Sequence, residues 1–177
     1  MNLAAMHMAL KGGDTNMMQA LRKRIDDDRG FTLIELMVVV LIIAILIAIA
    51  IPTFLGLRER AQNRAAQSDL RNGLVAAKAW FTDADTYTNF NDTELEAIEP
   101  SIDAVGAAVA STEATQTVSV AVSGDGVTVG LARMSASGTC FFMTDISSGA
   151  GAGTFRNSDA ACTGNQALTY AANDGSW

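Results

Sequence analysis

Charged residues stop at Glu35 and do not resume until Arg58, leaving 22 consecutive uncharged positions from Leu36 to Leu57. Within that run aliphatic residues fill every face of a helix, so its pattern is that of a helix with no polar side. At about 1.5 Å per residue it extends about 33 Å, enough for a bilayer core of about 30 Å. Past Leu57 the pattern becomes amphipathic: Leu57, Ala61, Ala65, Leu70, Leu74, Ala77 and Phe81 recur at three- to five-residue steps, predicting that the helix continues. Asp83, Asp85 and Thr86 end it. Residues 87–115 read as loop and short helix broken at Pro100 and Gly106. Thr117 to Val122 and Val127 to Leu131 alternate apolar with small or polar residues around Ser123 to Gly126, a hairpin pattern. Cys140 to Met143 and Ala167 to Tyr170 are further candidate strands, separated by the Gly- and Ser-rich residues 147–153. The predicted fold class is α+β: one long helix, half transmembrane and half amphipathic, packed on a small antiparallel sheet.

The polar residues before the span change how it is read. A secretory signal has a shorter apolar region with its cleavage site on the far side. Here the junction resembling a processing site, Gly30 before Phe31, lies on the near side. Cleavage there removes a polar leader and leaves the apolar helix as the new amino terminus. Arg22, Lys23, Arg24 and Arg29 flank the leader side of the span, but Arg58, Arg60, Arg64 and Arg71 flank the other almost as densely, so charge alone does not orient it. Translation could also begin at Met17 or Met18 and keep the four leader cations.

Gly30-Phe31-Thr32-Leu33-Ile34-Glu35 resembles the processing motif of type IV pilins and of the related type II secretion pseudopilins. The likeness is specific over residues 22 to about 82 and general beyond. It implies a pilin-like fold and three segments: a leader (1–30), a transmembrane and assembly helix (31–57) and a globular head (58–177). It further implies that a prepilin peptidase cuts after Gly30 and methylates the amino group of Phe31. The precursor would be a single-pass cytoplasmic-membrane protein with its leader in the cytoplasm. The mature chain would be a homopolymeric, helical surface filament raised on a pilus assembly platform. Glu35, the fifth mature residue, and Pro52, a helix-bending proline, take assembly positions in that family, and Cys140 and Cys162 fall where the family places a disulfide-closed loop.

Several of these residues admit plainer readings. Thr32 and Glu35 form an S/T-x-x-E capping box, worth about 1 kcal/mol on its own. A carboxylate at the edge of an apolar span nevertheless needs a partner, and after cleavage the positive amino terminus of a neighbouring Phe31 supplies one. Pro52 removes a backbone donor, so a kink or local melting is expected there, either at a membrane exit or as part of filament packing. Cys140 and Cys162 are either one bridge or two free buried thiols; a bridge across a loop of this size stabilises by about 3 kcal/mol. Arg60, Arg64, Arg71 and Lys78 share a helix stripe that is either a solvated face or an inter-subunit salt-bridge stripe.

Composition narrows the functional classes. The single histidine, His7, lies in the leader, so the mature chain has no imidazole for acid-base or metal chemistry. An enzyme is not expected, and neither is a cofactor. Asp83, Asp85, Tyr87, Asn173 and Asp174 offer oxygen atoms to calcium, but in no EF-hand spacing, and no metal is predicted. Residues 58–80 carry a net charge of +3 and residues 81–177 of −10. That acidic head disfavours direct nucleic-acid binding. Two alternatives stay open: a major pseudopilin, against which the cysteine pair counts because such proteins hold that region with calcium, and an uncleaved bitopic protein whose head binds a small ligand.

Overall fold

The computed structural model describes residues 30–149, 151–159 and 161–169. His7, Met17, Met18, the four leader cations, Tyr170, Asn173 and Asp174 lie outside them. Helix α1 spans Leu33–Ala84 and passes through Pro52 without interruption. The chain divides into two compact units, one ending at Ile51 and the other beginning at Pro52. In the second unit, α1 turns a narrow face inward: Ala66, Leu70, Gly73, Ala76 and Ala77 are buried. Leu57, Ala61 and Ala65, expected on the same face, are exposed. The five-residue step from Ala65 to Leu70 explains the error. At 100° per residue it moves the stripe well over 100° around the helix, whereas Ala66, Leu70, Gly73 and Ala77 hold one line through steps of four, three and four. Small residues predominate because the sheet lies close: a Cβ on Gly73 would sit 3.3 Å from Leu131 Cδ1. The helix stops as the acidic segment predicts, with Asp85 in a left-handed conformation (φ 55°) and its N–H bonded to Phe81 O at 2.8 Å.

Helix α2 spans Asp92–Ile98, capped by Asn91, whose side chain accepts from Glu94 N. Five strands follow: β1 Ala104–Gly106, β2 Val118–Val122, β3 Thr128–Met134, β4 Cys140–Ile146 and β5 Gly153–Asp159. They form one sheet in sequence order. The predicted hairpin is β2–β3, with Val120 opposite Leu131 and Leu131 opposite Met143 of β4. The sheet is mixed, not wholly antiparallel, because β1 pairs with β2 in parallel. Two strands escaped the sequence reading. β1 has only three residues, in a segment assigned to loop and short helix. β5, Gly153 to Asp159, is an edge strand with little buried surface, so no apolar alternation marks it. Residues Ala167 to Thr169, expected in a strand, belong instead to helix α3, Gly164–Thr169. So short an apolar run does not distinguish the two periods.

The sheet is buried on both faces. Val118, Val120, Val129, Leu131, Phe141 and Met143 pack with Leu70 and Ala77 of α1 and with Tyr87, Phe90, Leu95 and Ile102. On the opposite face Ala132, Cys140 and Phe142 meet Cys162 and Ala167. The C-terminal segment thus forms a third layer. It comes close enough that a Cβ on Gly164 would lie 2.7 Å from Ala121 N, and one on Gly130 2.9 Å from Leu168 N. Hydrogen bonds hold it as well: Gly164 N donates to Ser119 Oγ at 2.8 Å and Thr144 Oγ1 to Ala167 O at 2.6 Å. The Cys140–Cys162 disulfide, Cα atoms 5.5 Å apart, ties this layer to β4, so the two-thiol alternative falls away.

Two ion pairs join α1 to the sheet. Arg133 bonds Asp69 Oδ2 at 2.7 Å and donates from Nε to Gln116 O at 2.9 Å. Asp145, only 5% exposed, receives Lys78 Nζ at 3.0 Å, Tyr87 OH at 2.7 Å and Thr154 Oγ1 at 2.6 Å. Burial alone would raise the Asp145 pKa. The bonds from Thr154, Tyr87 and Lys78, with the Lys78 charge, overcome that and hold it below its ordinary 3.8. Burial and the same carboxylate push the Tyr87 pKa upward.

Two outcomes are expected of the fragment from Arg58 onward. It should be a soluble, folded monomer, and reduction should cost about 3 kcal/mol of its stability in denaturant titrations; equal midpoints with and without reductant would contradict a stabilising bridge. Because the folded pKa of Asp145 is depressed, its contribution is complete above pH 3.8 and lost as pH falls through the folded value. Asp145→Asn should therefore lower stability by about 1 to 3 kcal/mol near neutrality and flatten the acid limb of the stability profile, read by circular dichroism across pH 2 to 7.

Candidate assembly helix and its amino-terminal cap

Gly30, Phe31 and Thr32 precede α1 without regular structure. A Cβ on Gly30 would meet nothing within 4 Å, so packing among the described residues does not require glycine there. Phe31 is 77% exposed. Thr32 caps the helix: its carbonyl accepts Leu36 N at 3.2 Å, and its Oγ1 accepts Glu35 N at 3.3 Å. Glu35 reciprocates, its Oε2 receiving Thr32 N at 2.9 Å and Thr32 Oγ1 at 2.6 Å. The capping box read from the sequence is therefore formed. Both side-chain bonds go to one carboxylate oxygen, Oε2, so capping and a second partner at Oε1 are compatible.

From Phe31 to Leu57, nineteen large apolar side chains are exposed. Each is worth about 1.5 to 3 kcal/mol when removed from water, so the segment as a whole favours burial by tens of kcal/mol. By length and composition the helix is able to cross a membrane. This apolar surface far exceeds what a water-soluble monomer carries. Lipid or other copies of the same helix would satisfy it equally.

The structure brings Gly30, Phe31 and Glu35 together at the start of this helix and places Pro52 within it, still helical. Cys140 and Cys162 lie in the head, where their part is structural. Asp83 and Asp85 are exposed, and the Tyr87 hydroxyl donates to Asp145 at 2.7 Å. Among the described residues no three His, Cys, Asp or Glu side chains are grouped to hold a metal. The sequence reading missed Asp145, and it placed Lys78 on a solvated or inter-subunit stripe where the structure pairs it with Asp145 of its own chain. A signal for Asp145 existed: it shares strand parity with Phe141 and Met143, and a charge on the helix-facing side of a strand needs a counter-ion.

A capped, uncovered apolar helix that continues into a sheet-packed stem is a pilin-like architecture. Residues 26–51 match the family model of the prokaryotic N-terminal methylation motif, and the chain carries that motif. Its N-terminal segment is homologous to type IV major pilins and to type II secretion core proteins. It is 48% identical over 63 residues to the type IV major pilin protein PilA of Myxococcus xanthus, covering 36% of this chain and 29% of that protein. It is 39% identical over 61 residues to the type IV wide pilus major component PilA4 of Thermus thermophilus, covering 34% and 47%. With the type II secretion system core protein G of Escherichia coli, it shares 44% identity over 45 residues, covering 25% and 31%. The matches thus span less than half the length of these relatives. No solved structure matches the chain.

Proposed function

We propose that this chain is the structural subunit of a type IV pilus, with no catalytic role. It enters the cytoplasmic membrane through its apolar helix, is cut by a prepilin peptidase after Gly30, is methylated on Phe31, and polymerises through that helix at a pilus assembly platform. The observation that carries this reading is the run of nineteen exposed apolar side chains from Phe31 to Leu57, which begins inside the matched methylation motif and extends beyond it. Polymerisation replaces lipid with the same surface of neighbouring copies. Glu35 meets the amino terminus of a neighbour's Phe31 through Oε1 while Oε2 keeps its cap. Pro52 leaves one carbonyl of the helix without its donor and lets the segment adjust as it moves from lipid to filament. A pseudopilin role is the second reading, favoured by the matches to core protein G. The identities to the two pilus proteins run over longer stretches, 63 and 61 residues against 45.

Mass spectrometry of the native chain is expected to find N-methylated Phe31 as its first residue; a retained leader would exclude the processing step. In cells, Glu35→Gln keeps size and much of the cap but removes the charge. It should be inserted and processed normally, yet leave processed monomer in the membrane and little fibre in sheared surface fractions, since a buried amine without its partner costs about 3 to 5 kcal/mol. Fibre at wild-type level would reduce Glu35 to a cap, and a wild-type chain that yields no surface fibre would favour the pseudopilin.

A further inference from the structure

The cations of the α1 stripe do not share one environment. Lys78 is paired with Asp145 inside its own chain. Arg60 and Arg64, one turn apart on the same side of the helix, are exposed and form no ion pair among the described residues. Their stripe points away from the buried line of Ala66, Leu70 and Gly73, so folding of the monomer gives them no role. Helix α2 has the complementary surplus. Asp92, Glu94, Glu96 and Glu99 crowd its eight-residue neighbourhood, all at least partly exposed, with no cation paired to any of them among the described residues. Only Leu95 of the helix is buried.

Resting on the pilus reading, we propose that Arg60 and Arg64 of one copy dock against the acidic ridge of α2 on a second copy, and that this contact sets the axial offset between them. Charge complementarity selects the partner: Arg60, Arg64 and the carboxylates of α2 belong to the same chain but form no ion pair with one another among the described residues, so identical copies satisfy each other. The offset follows from the geometry. Leu95, between Glu94 and Glu96, sits level with Gly73 of α1, where an added Cβ would lie 3.9 Å from Leu95 Cδ1. Gly73 lies 9 residues beyond Arg64 and 13 beyond Arg60, or about 14 to 20 Å along the helix axis. Copies displaced by that distance bring the arginines of one level with the ridge of the other. The pair also works against misassembly, because a shift that sets arginine beside arginine is repulsive.

The test uses the full chain in cells. Arg60→Glu with Arg64→Glu should lower shear-released fibre about tenfold without changing the membrane pool of processed, disulfide-bonded chain. Glu94→Arg with Glu96→Arg should do the same, and the four changes together should restore fibre to within about twofold of wild type. Should the α2 reversal deplete the pool by unfolding, Glu94→Gln with Glu96→Gln replaces it. That neutral pair should lower fibre about threefold and abolish most of the further loss caused by reversing the arginines. Wild-type fibre from the arginine reversal, no rescue by the fourfold exchange, or penalties that simply multiply in the neutral background would each overturn the contact while leaving the pilus reading intact. Absence of fibre from the wild-type chain would overturn the pilus reading and this contact with it.

Discussion

The dominant constraint on this protein is an apolar helix that none of its described residues covers. The buried face of α1 runs from Ala66 to Ala77, and the large apolar side chains from Phe31 to Leu57 are exposed. Lipid and copies of the same helix are two environments that suit such a surface. The two environments are close to equivalent for aliphatic side chains, so transfer between them depends on polar details. Thr32 and Glu35 are polar groups at one end of the segment, and Arg58 and Arg60 follow at the other. The aliphatic residues between them supply the driving force for leaving water.

The head has the complementary problem of holding a five-stranded sheet against a helix face made mostly of alanine and glycine. Close approach is its solution, visible in the contact of Gly73 with Leu131, and the bulk comes from Leu70, Tyr87, Phe90, Leu95 and the strands. Because the outer face of the sheet is covered too, β2, β3 and β4 are buried along nearly their whole length. The polar atoms enclosed between these layers are then satisfied in pairs: Ser119 with Gly164, Thr144 with Ala167, Asp145 with Lys78, Tyr87 and Thr154.

What was legible in the sequence was local. The span, the Thr32–Glu35 box, the helix stop near Asp85 and the hairpin around Ser123 to Gly126 are each written within a few consecutive residues. What was not legible depends on partners far along the chain. β5 is a strand because β4 lies beside it, not because Gly153 to Asp159 prefers extended backbone. Ala167 to Thr169 are helical because Gly164 and Gly130 let that turn settle on the sheet. The environment of Lys78 was undecidable without knowing that Asp145, 67 positions later, would fall opposite it. The misplaced packing stripe has a different origin: apolar residues at Leu57, Ala61 and Ala65 do mark a face, but a different one from that of the head.

The disulfide has a mechanical consequence. Cys162 holds the outermost layer and Cys140 opens β4, in the interior of the sheet. A pull that peels the outer layer away meets a covalent bond after the hydrogen bonds at Ser119 and Thr144 have failed. The 22-residue separation between the cysteines would otherwise release about 75 Å of extended chain. With the bridge closed, that length is withheld, and β4 and β5 stay inside a loop that tension applied at the two ends of the chain does not lengthen.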